Sequence, residues 1–289
     1  MTSSCKTVKR EEFKNDDFRP AKISFSRKYL SIPYGLFLIL FVVLPFLLIL
    51  YYAFTSKTGN FSFENFVDFF SNPTSVSTLF ISFIIAVITT GLCILIGYPT
   101  AYILSKMKAR KGFVLLLLFI MPMWINFVLR TAAMKELLYS IGMFKSNNLS
   151  FVNTLIGMVY DYLPFTILPI YTVLAKMDKS YEEASSDLGA TKTQTFLKVT
   201  LPLSMPGIVS AITMVLLPTT TSYVISDTLG NGNITIIGKL IENQFSTMFN
   251  WNMGSAIAMV LLVLIFITMF VSGKFSKEEN IAQTKGGLW

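Results

Sequence analysis

Long apolar runs separated by short polar segments dominate this chain of 289 residues. Six of the runs, at 30–54, 77–105, 112–133, 152–175, 206–228 and 253–273, are long enough to cross a bilayer as helices, given a rise of about 1.5 Å per residue and a hydrocarbon core roughly 30 Å thick. Proline and glycine interrupt several of them: Pro33 and Pro45, Gly97 and Pro99, Pro122, Pro164 and Pro169, and Pro218. Kinked helices are expected there. The backbone groups freed at each break need partners from neighbouring helices or from water in a cavity, which suits a transport pathway better than a simple anchor. The first run follows a polar tail and has no small-residue cleavage site behind it, so it reads as a retained anchor and not a signal peptide. The expected fold is an all-α polytopic membrane protein with six transmembrane helices. Residues 30–273 form the membrane domain, flanked by a basic tail at 1–29 and a C-terminal tail at 274–289.

Composition sharpens this reading. Hydrophobic residues make up 53% of the chain and charged ones only 14%, too apolar for an ordinary soluble domain of this length. With no histidine anywhere, His-based acid–base catalysis and the usual His-containing metal sites drop out. Cys5 lies in the polar tail and Cys93 inside an apolar run, so no disulfide framework is indicated. The net charge of +8 is distributed between the spans. A compact basic turn, Lys106, Lys108, Arg110 and Lys111, separates the second and third runs. Placing both termini inside puts most of the Lys and Arg residues on the cytoplasmic side, as the positive-inside bias requires. An N-in, C-in topology follows. The basic tail then has anionic lipid headgroups, and not nucleic acid, as its partner.

The longest internal connection, 176–205, reads as two short helices. Ser180 and Glu183 have the spacing of a capping box, Gly189 suits a left-handed helix end, and a second piece at 193–200 is expected to stop at Leu201 and Pro202. Glu183, Ala184, Ser185, Gly189, Val199, Leu201 and Pro202 resemble, at matching spacings, the Glu-Ala-Ala signature of the permeases of binding-protein-dependent ABC importers. Ser185 and Val199 depart mildly from it. The resemblance implies the type I ABC importer permease fold, with this loop as the coupling helix that docks on an ATPase. Glu183 and Asp187 would face that partner. The bland alternative is a well-capped surface loop. No Gly-x-x-x-x-Gly-Lys-Ser/Thr phosphate loop occurs in the chain. The resemblance therefore implies a non-catalytic subunit with no cofactor of its own, ATP and magnesium being bound by the ATPases. It also implies its partners: two ATPase subunits, a homologous second permease and an external substrate-binding protein, at a bacterial cell membrane.

A wider likeness runs from about Pro122 to Trp251. Pro122, Trp124, Asn126, Arg130, Leu163-Pro164-Phe165, Asp187-Leu188-Gly189-Ala190, Met205-Pro206-Gly207-Ile208, Leu217-Pro218, Tyr223-Val224 and Ser226-Asp227 are similar to the permeases of spermidine/putrescine importers. Thiamine, sulfate or ferric ion, carried by other members, are the alternatives. A polyamine is an elongated polycation, so its passage calls for carboxylates and aromatic faces. Asp227 and Asp161, with Tyr223, Tyr160 and Trp124, are the candidates for that pathway, with Tyr162 adjacent. The competing account is that such residues near a membrane surface snorkel or belong to an interfacial aromatic belt. Arg130 would repel a cation and needs an acidic partner. Glu242 could meet the binding protein. A secondary transporter explains six spans and intramembrane acids but not the signature loop, and no constellation for a membrane-embedded enzyme can be assembled.

Overall fold

The structure is a computed structural model. It describes residues 27–56, 59–144 and 149–285, excluding the side chains of 27–32, 271–272 and 274–285. Most of the basic tail therefore lies outside the described residues. The chain divides into two compact units, Met1–Leu47 and Leu48–Trp289.

Helix α1 (Arg27–Leu38) leads through a π-helical turn at Ile39–Val43 into α2 (Leu44–Ala53), whose residues up to Leu47 close the first unit. Pro45 accounts for the wide turn. It lacks an N–H and crowds the carbonyl four residues back, and the extra residue in the turn lets the Leu44 N–H reach the Ile39 carbonyl instead. Leu36, Phe37, Phe41, Leu44 and Leu47 are exposed, the surface that a helix presents to lipid.

The second unit holds α3 (Glu64–Ser71), α4 (Pro73–Lys106), α5 (Ala109–Ile120), a 3-10 turn (Met121–Trp124), α6 (Phe127–Ser140) and α7 (Ser150–Lys176). Then come α8 (Ser180–Asp187), α9 (Lys192–Thr195), a second π-helical turn (Phe196–Thr200), α10 (Leu201–Leu203), α11 (Met205–Thr221), α12 (Tyr223–Leu229), α13 (Ile237–Ser246) and α14 (Trp251–Lys285). Among the described residues, four stretches are long and apolar enough to cross a membrane as single helices: Pro33–Ala53, Pro73–Lys106, Ser150–Lys176 and Trp251–Phe270. Two bent pairs, Ala109–Trp124 with Phe127–Ser140 and Lys192–Leu203 with Met205–Thr221, bring the number to six if each counts once.

The third and fifth expected spans are thus not single helices. At the third, the chain turns by 95° between Trp124 and Phe127. Ile125 is extended, and Asn126 starts a new helix by accepting the Val128 N–H on Oδ1 at 2.8 Å. At the fifth, α11 ends at Ser222, and the seven residues of α12 follow as a separate helix. The second span starts earlier than the hydropathy suggests, because Asn72 caps the Thr74 N–H at 3.0 Å and Pro73 fits the first helical position. At the other end, α14 continues through most of the segment expected to be a tail.

The core is built by α4, α7 and α11, packed pairwise. Tyr98, Ala101, Leu104, Ile167, Ile170 and Ala211 form its centre. Membrane helices gain little from hiding apolar surface from lipid, so close contact between small residues matters more. Gly97 illustrates it: a Cβ there would lie 2.8 Å from Thr166 Cγ2. A second cluster, with Ile85, Leu138, Met158, Ile225 and Leu229, ties α12 to α4, α6 and α7. A third joins Phe69, Ile237, Ile257 and Leu261. Buried hydroxyls fasten elements across the unit: Tyr98 and Ser204 share a 2.9 Å hydrogen bond, and the Ile237 N–H donates to Ser82 Oγ at 2.7 Å.

Candidate functional site

The connection between α7 and α11 is ordered at every step, though not by the devices first expected. Ser180 lies in the first turn of α8 and is not its cap. The Glu183 N–H, which a Ser180 cap would take, already donates to the Lys179 carbonyl at 3.1 Å. Asp178 supplies the cap, its Oδ1 accepting the Ser180 N–H at 3.0 Å. That bond holds the Asp178 carboxyl below its ordinary pKa. The capping box sits one helix later, where Thr191 Oγ1 accepts the Gln194 N–H at 3.4 Å and Gln194 Oε1 accepts the Thr191 N–H at 2.9 Å. Thr-x-x-Gln is legible in the sequence and was the signal overlooked. Gly189 behaves as expected: at φ +79° it lets the Ala190 N–H reach the Ser185 carbonyl and the Gly189 N–H the Ser186 carbonyl, closing α8 with a Schellman turn. Leu201 and Pro202 do not stop the second helix. A π-helical turn precedes Pro202 at the same offset as the one before Pro45, and the helical path continues to Leu203. The bend, by 60°, falls at Ser204.

The two faces of α8 have different tasks. Glu182 and Ser185 point into the protein. Glu182 pairs with Lys106 at the end of α4 and accepts a hydrogen bond from Thr200 Oγ1 at 3.2 Å, while Ser185 and Thr195 hydroxyls lie 3.0 Å apart. Phe196 lies edge-on to Tyr98 and Tyr102 of α4. A cavity of about 50 Å³ remains between Tyr102, Lys106, Glu182 and Thr200. Tyr181, Glu183, Ala184, Asp187 and Gly189 are exposed, and Leu188 reaches 89% exposure. Tyr181, Ala184 and Leu188 recur at helical spacing, so the outward face is an apolar stripe edged by the carboxylates of Glu183 and Asp187. Of the remaining signature residues, Leu201 packs against the core and Pro202 is exposed.

The residues expected along a pathway fall into separate places. Asp161, on α7, is buried at 5% side-chain exposure, and its Oδ1 lies 3.1 Å from Arg130 Nη2, itself 8% exposed. Thr131 Oγ1 donates to Asp161 Oδ2 at 3.2 Å. Arg130 thereby has its acidic partner, and the Asp161 carboxylate meets a guanidinium of its own chain. Tyr223 and Asp227 sit one turn apart on α12, Asp227 with half its side chain exposed. Lys239, which sequence reasoning passed over, stands between them: Nζ is 3.4 Å from Asp227 Oδ2, 3.2 Å from Glu242 Oε2 and 5.6 Å from the centre of the Tyr223 ring. Hydrogen bonding to Glu242 first, and the charge of Asp227 next, hold the Lys239 ammonium above its ordinary pKa. Tyr160 is 39% exposed on α7, and Trp124, 81% exposed, marks the bend before α6. Among the described residues no hydrogen bond, ion pair or ring contact joins Trp124 or Tyr160 to Asp227.

Residues 24–274 match the family described as binding-protein-dependent transport system inner membrane component. The spermidine/putrescine transport system permease protein PotB of Haemophilus influenzae is 36% identical over 262 residues, covering 84% of this chain and 91% of the relative. PotB of Escherichia coli is 32% identical over the same share of this chain and 95% of its own length. Among solved structures, a chain of a bacterial ABC transporter involved in the import of the acidic polysaccharide alginate superposes with a TM-score of 0.66, covering 87% of this chain and 95% of that one at 14% identity. A chain of the MetNI methionine ABC transporter reaches 0.56 over 71% of this chain and 95% of that one at 18% identity. Those two likenesses speak for the fold alone, and it is the fold of an ABC importer's membrane chain. The signature loop, the bent spans and the match across nearly the whole membrane domain agree: the chain belongs to the family of inner membrane components of binding-protein-dependent transport systems.

Proposed function

We propose that this chain is one permease subunit of an ATP-driven importer of polyamines, spermidine and putrescine, in a bacterial inner membrane with both termini in the cytoplasm. The observation that carries the substrate is the 36% identity, over 84% of the chain, to a spermidine/putrescine permease. The observation that carries the coupling is α8, fixed on its inner face by Lys106 and Thr200 and bare on its outer one. A short, anchored helix transmits a rigid-body push where a loose loop would absorb it. On this reading the apolar stripe of Tyr181, Ala184 and Leu188, with Glu183 and Asp187 beside it, docks on an ATPase subunit that binds ATP and magnesium and performs the hydrolysis. Closure of the two ATPases moves α8, and with it α4 and α11. A homologous second permease completes the pathway, and an external binding protein delivers the substrate. Asp227 and Tyr223 offer the polycation a carboxylate and an aromatic face. No bond is made or broken by this chain.

The test is uptake of labelled spermidine by cells lacking the gene and by the same cells with it restored, in a background without other polyamine importers. Loss, rescue, and competition by putrescine but not by thiamine or sulfate are expected. Unimpaired uptake in the deletion strain would remove the polyamine assignment and leave the family.

A further inference from the structure

The surroundings of Lys239 are those of a bound ammonium ion. Two carboxylates, from Asp227 and Glu242, lie 3.4 and 3.2 Å from Nζ, and the Tyr223 ring lies 5.6 Å below it. Carboxylates together with an aromatic face are the means by which proteins recognise alkylammonium groups generally. The walls are fixed independently of their occupant. Tyr223 and Asp227 share α12, whose Ser226 Oγ donates to the Ile234 carbonyl at 2.8 Å, and the start of α13 is pinned where the Ile237 N–H meets Ser82 Oγ at 2.7 Å. A Cβ on Gly238 would sit 2.3 Å from the Thr221 carbonyl oxygen, so α13 rests directly against the end of α11. The occupant, by contrast, is the tip of a flexible four-carbon stem that is 29% exposed, beside an Asp227 that is half open to solvent. Two negative charges face one positive charge, leaving the group short of a cation.

We propose that Tyr223, Asp227 and Glu242 form a cage for a primary ammonium group, and that Lys239 is its built-in occupant, which a terminal ammonium of the incoming substrate displaces. This rests on the polyamine reading. The tethered amine solves a problem that a cage of two carboxylates creates: transport requires binding favourable enough for entry and weak enough for release. Lys239 lowers the net affinity of the cage, and by swinging back it expels the substrate. It is a specificity-determining residue, favouring an ammonium that can be matched charge for charge over a neutral solute or an anion.

The decisive experiment measures equilibrium binding of labelled spermidine to the complete transporter in nanodiscs without its binding protein, and in parallel ATP-driven spermidine uptake into proteoliposomes with the binding protein. Lys239→Met should tighten binding by roughly three- to tenfold, the scale expected from removing one competing exposed ion-pair and cation–π occupant. It should also slow maximal uptake. Lys239→Arg, which refills the cage, should stay near the parent on both counts, and Asp227→Asn with Glu242→Gln should weaken binding in either background. Unchanged or weaker binding in Lys239→Met, in a transporter that assembles and still hydrolyses ATP, overturns the cage while leaving the polyamine reading intact. A parent transporter that neither binds nor imports spermidine overturns both.

Discussion

Arg130 and Asp161 show what a single pair of residues does in an apolar core. Each charge is stripped of water, and their mutual attraction together with the bond from Thr131 offsets that loss only while both partners remain. Replacing Asp161 with Asn should therefore destabilise the protein by about 3–5 kcal/mol, by leaving the guanidinium buried and unpaired. The double change Arg130→Met with Asp161→Leu should recover most of that. Thermal denaturation of the purified, detergent-solubilised transporter measures both. If Asp161→Asn melted like the parent yet lost spermidine uptake, the carboxylate would belong to the pathway after all. The sequence names both residues but not their meeting: they lie on different helices, α6 and α7, and only the crossing of those helices decides which side chains face each other. The i, i+3 pair of Lys239 and Glu242 was legible by contrast, since local helix geometry alone sets it. What hid it was its place in a short segment between spans, where a lone lysine looks like ordinary surface.

At the scale of an element, α8 separates what spacing encodes from what it leaves open. The positions of Glu183, Gly189 and Leu201-Pro202 pointed to the family, and the left-handed helix end expected at Gly189 is present, because such an end favours glycine wherever it occurs. Nothing lies within 4 Å of a Cβ built at Gly189, so the requirement is for its φ of +79° and not for space. Gly189→Asn, which tolerates that region, should retain most ATP-driven uptake, and Gly189→Val should lose it, with membrane levels of the protein unchanged in both. Equal loss in the two variants would mean that the position needs a bare surface against the partner. The cap differs from the expected one for a definite reason: Ser-x-x-Glu and Asp-x-Ser overlap in this stretch, and Asp178 places its acceptor ahead of Ser180. Ser180→Ala should consequently leave uptake near parental, whereas Asp178→Ala should reduce it. The cap also carries a sign in pH. The Asp178 pKa is depressed in the folded protein, so its contribution is complete above the ordinary aspartate range and disappears as pH falls through the lowered value. Ser180→Ala and Asp178→Ala should then differ in ATP-coupled uptake at neutral pH and converge under acid conditions.

At the scale of the whole molecule the hydrophobic pattern gives the lengths of the spans, while Pro122 and Pro218 give the warning that the third and fifth are not straight. Hydropathy found the four helices that are long and apolar enough to cross singly, and the two bent pairs that make six if each counts once, because a bilayer sets one length for all crossings. It could not show that the third bends by 95° at Ile125, or that α11 ends at Ser222, because a break inside an apolar run leaves the composition of the run unchanged. Orientation rests on a different signal, the concentration of Lys and Arg in the turn at 106–111 and in the tails. The fold ties that signal to mechanism. Lys106 of the basic turn is the residue that pairs with Glu182 of α8, so the turn and α8 must lie on one side of the membrane. With Cys5 and Cys93 replaced, a single cysteine introduced as Lys108→Cys should react with an impermeant thiol reagent only after the cells are opened. One introduced as Ser140→Cys, at the end of α6, should react in intact cells. The reverse pattern would put α8 outside, where no ATP is available to drive it, and coupling through that helix would fall together with the topology. The labelling experiment thus tests the positive-inside argument and the proposed function of the loop in one step.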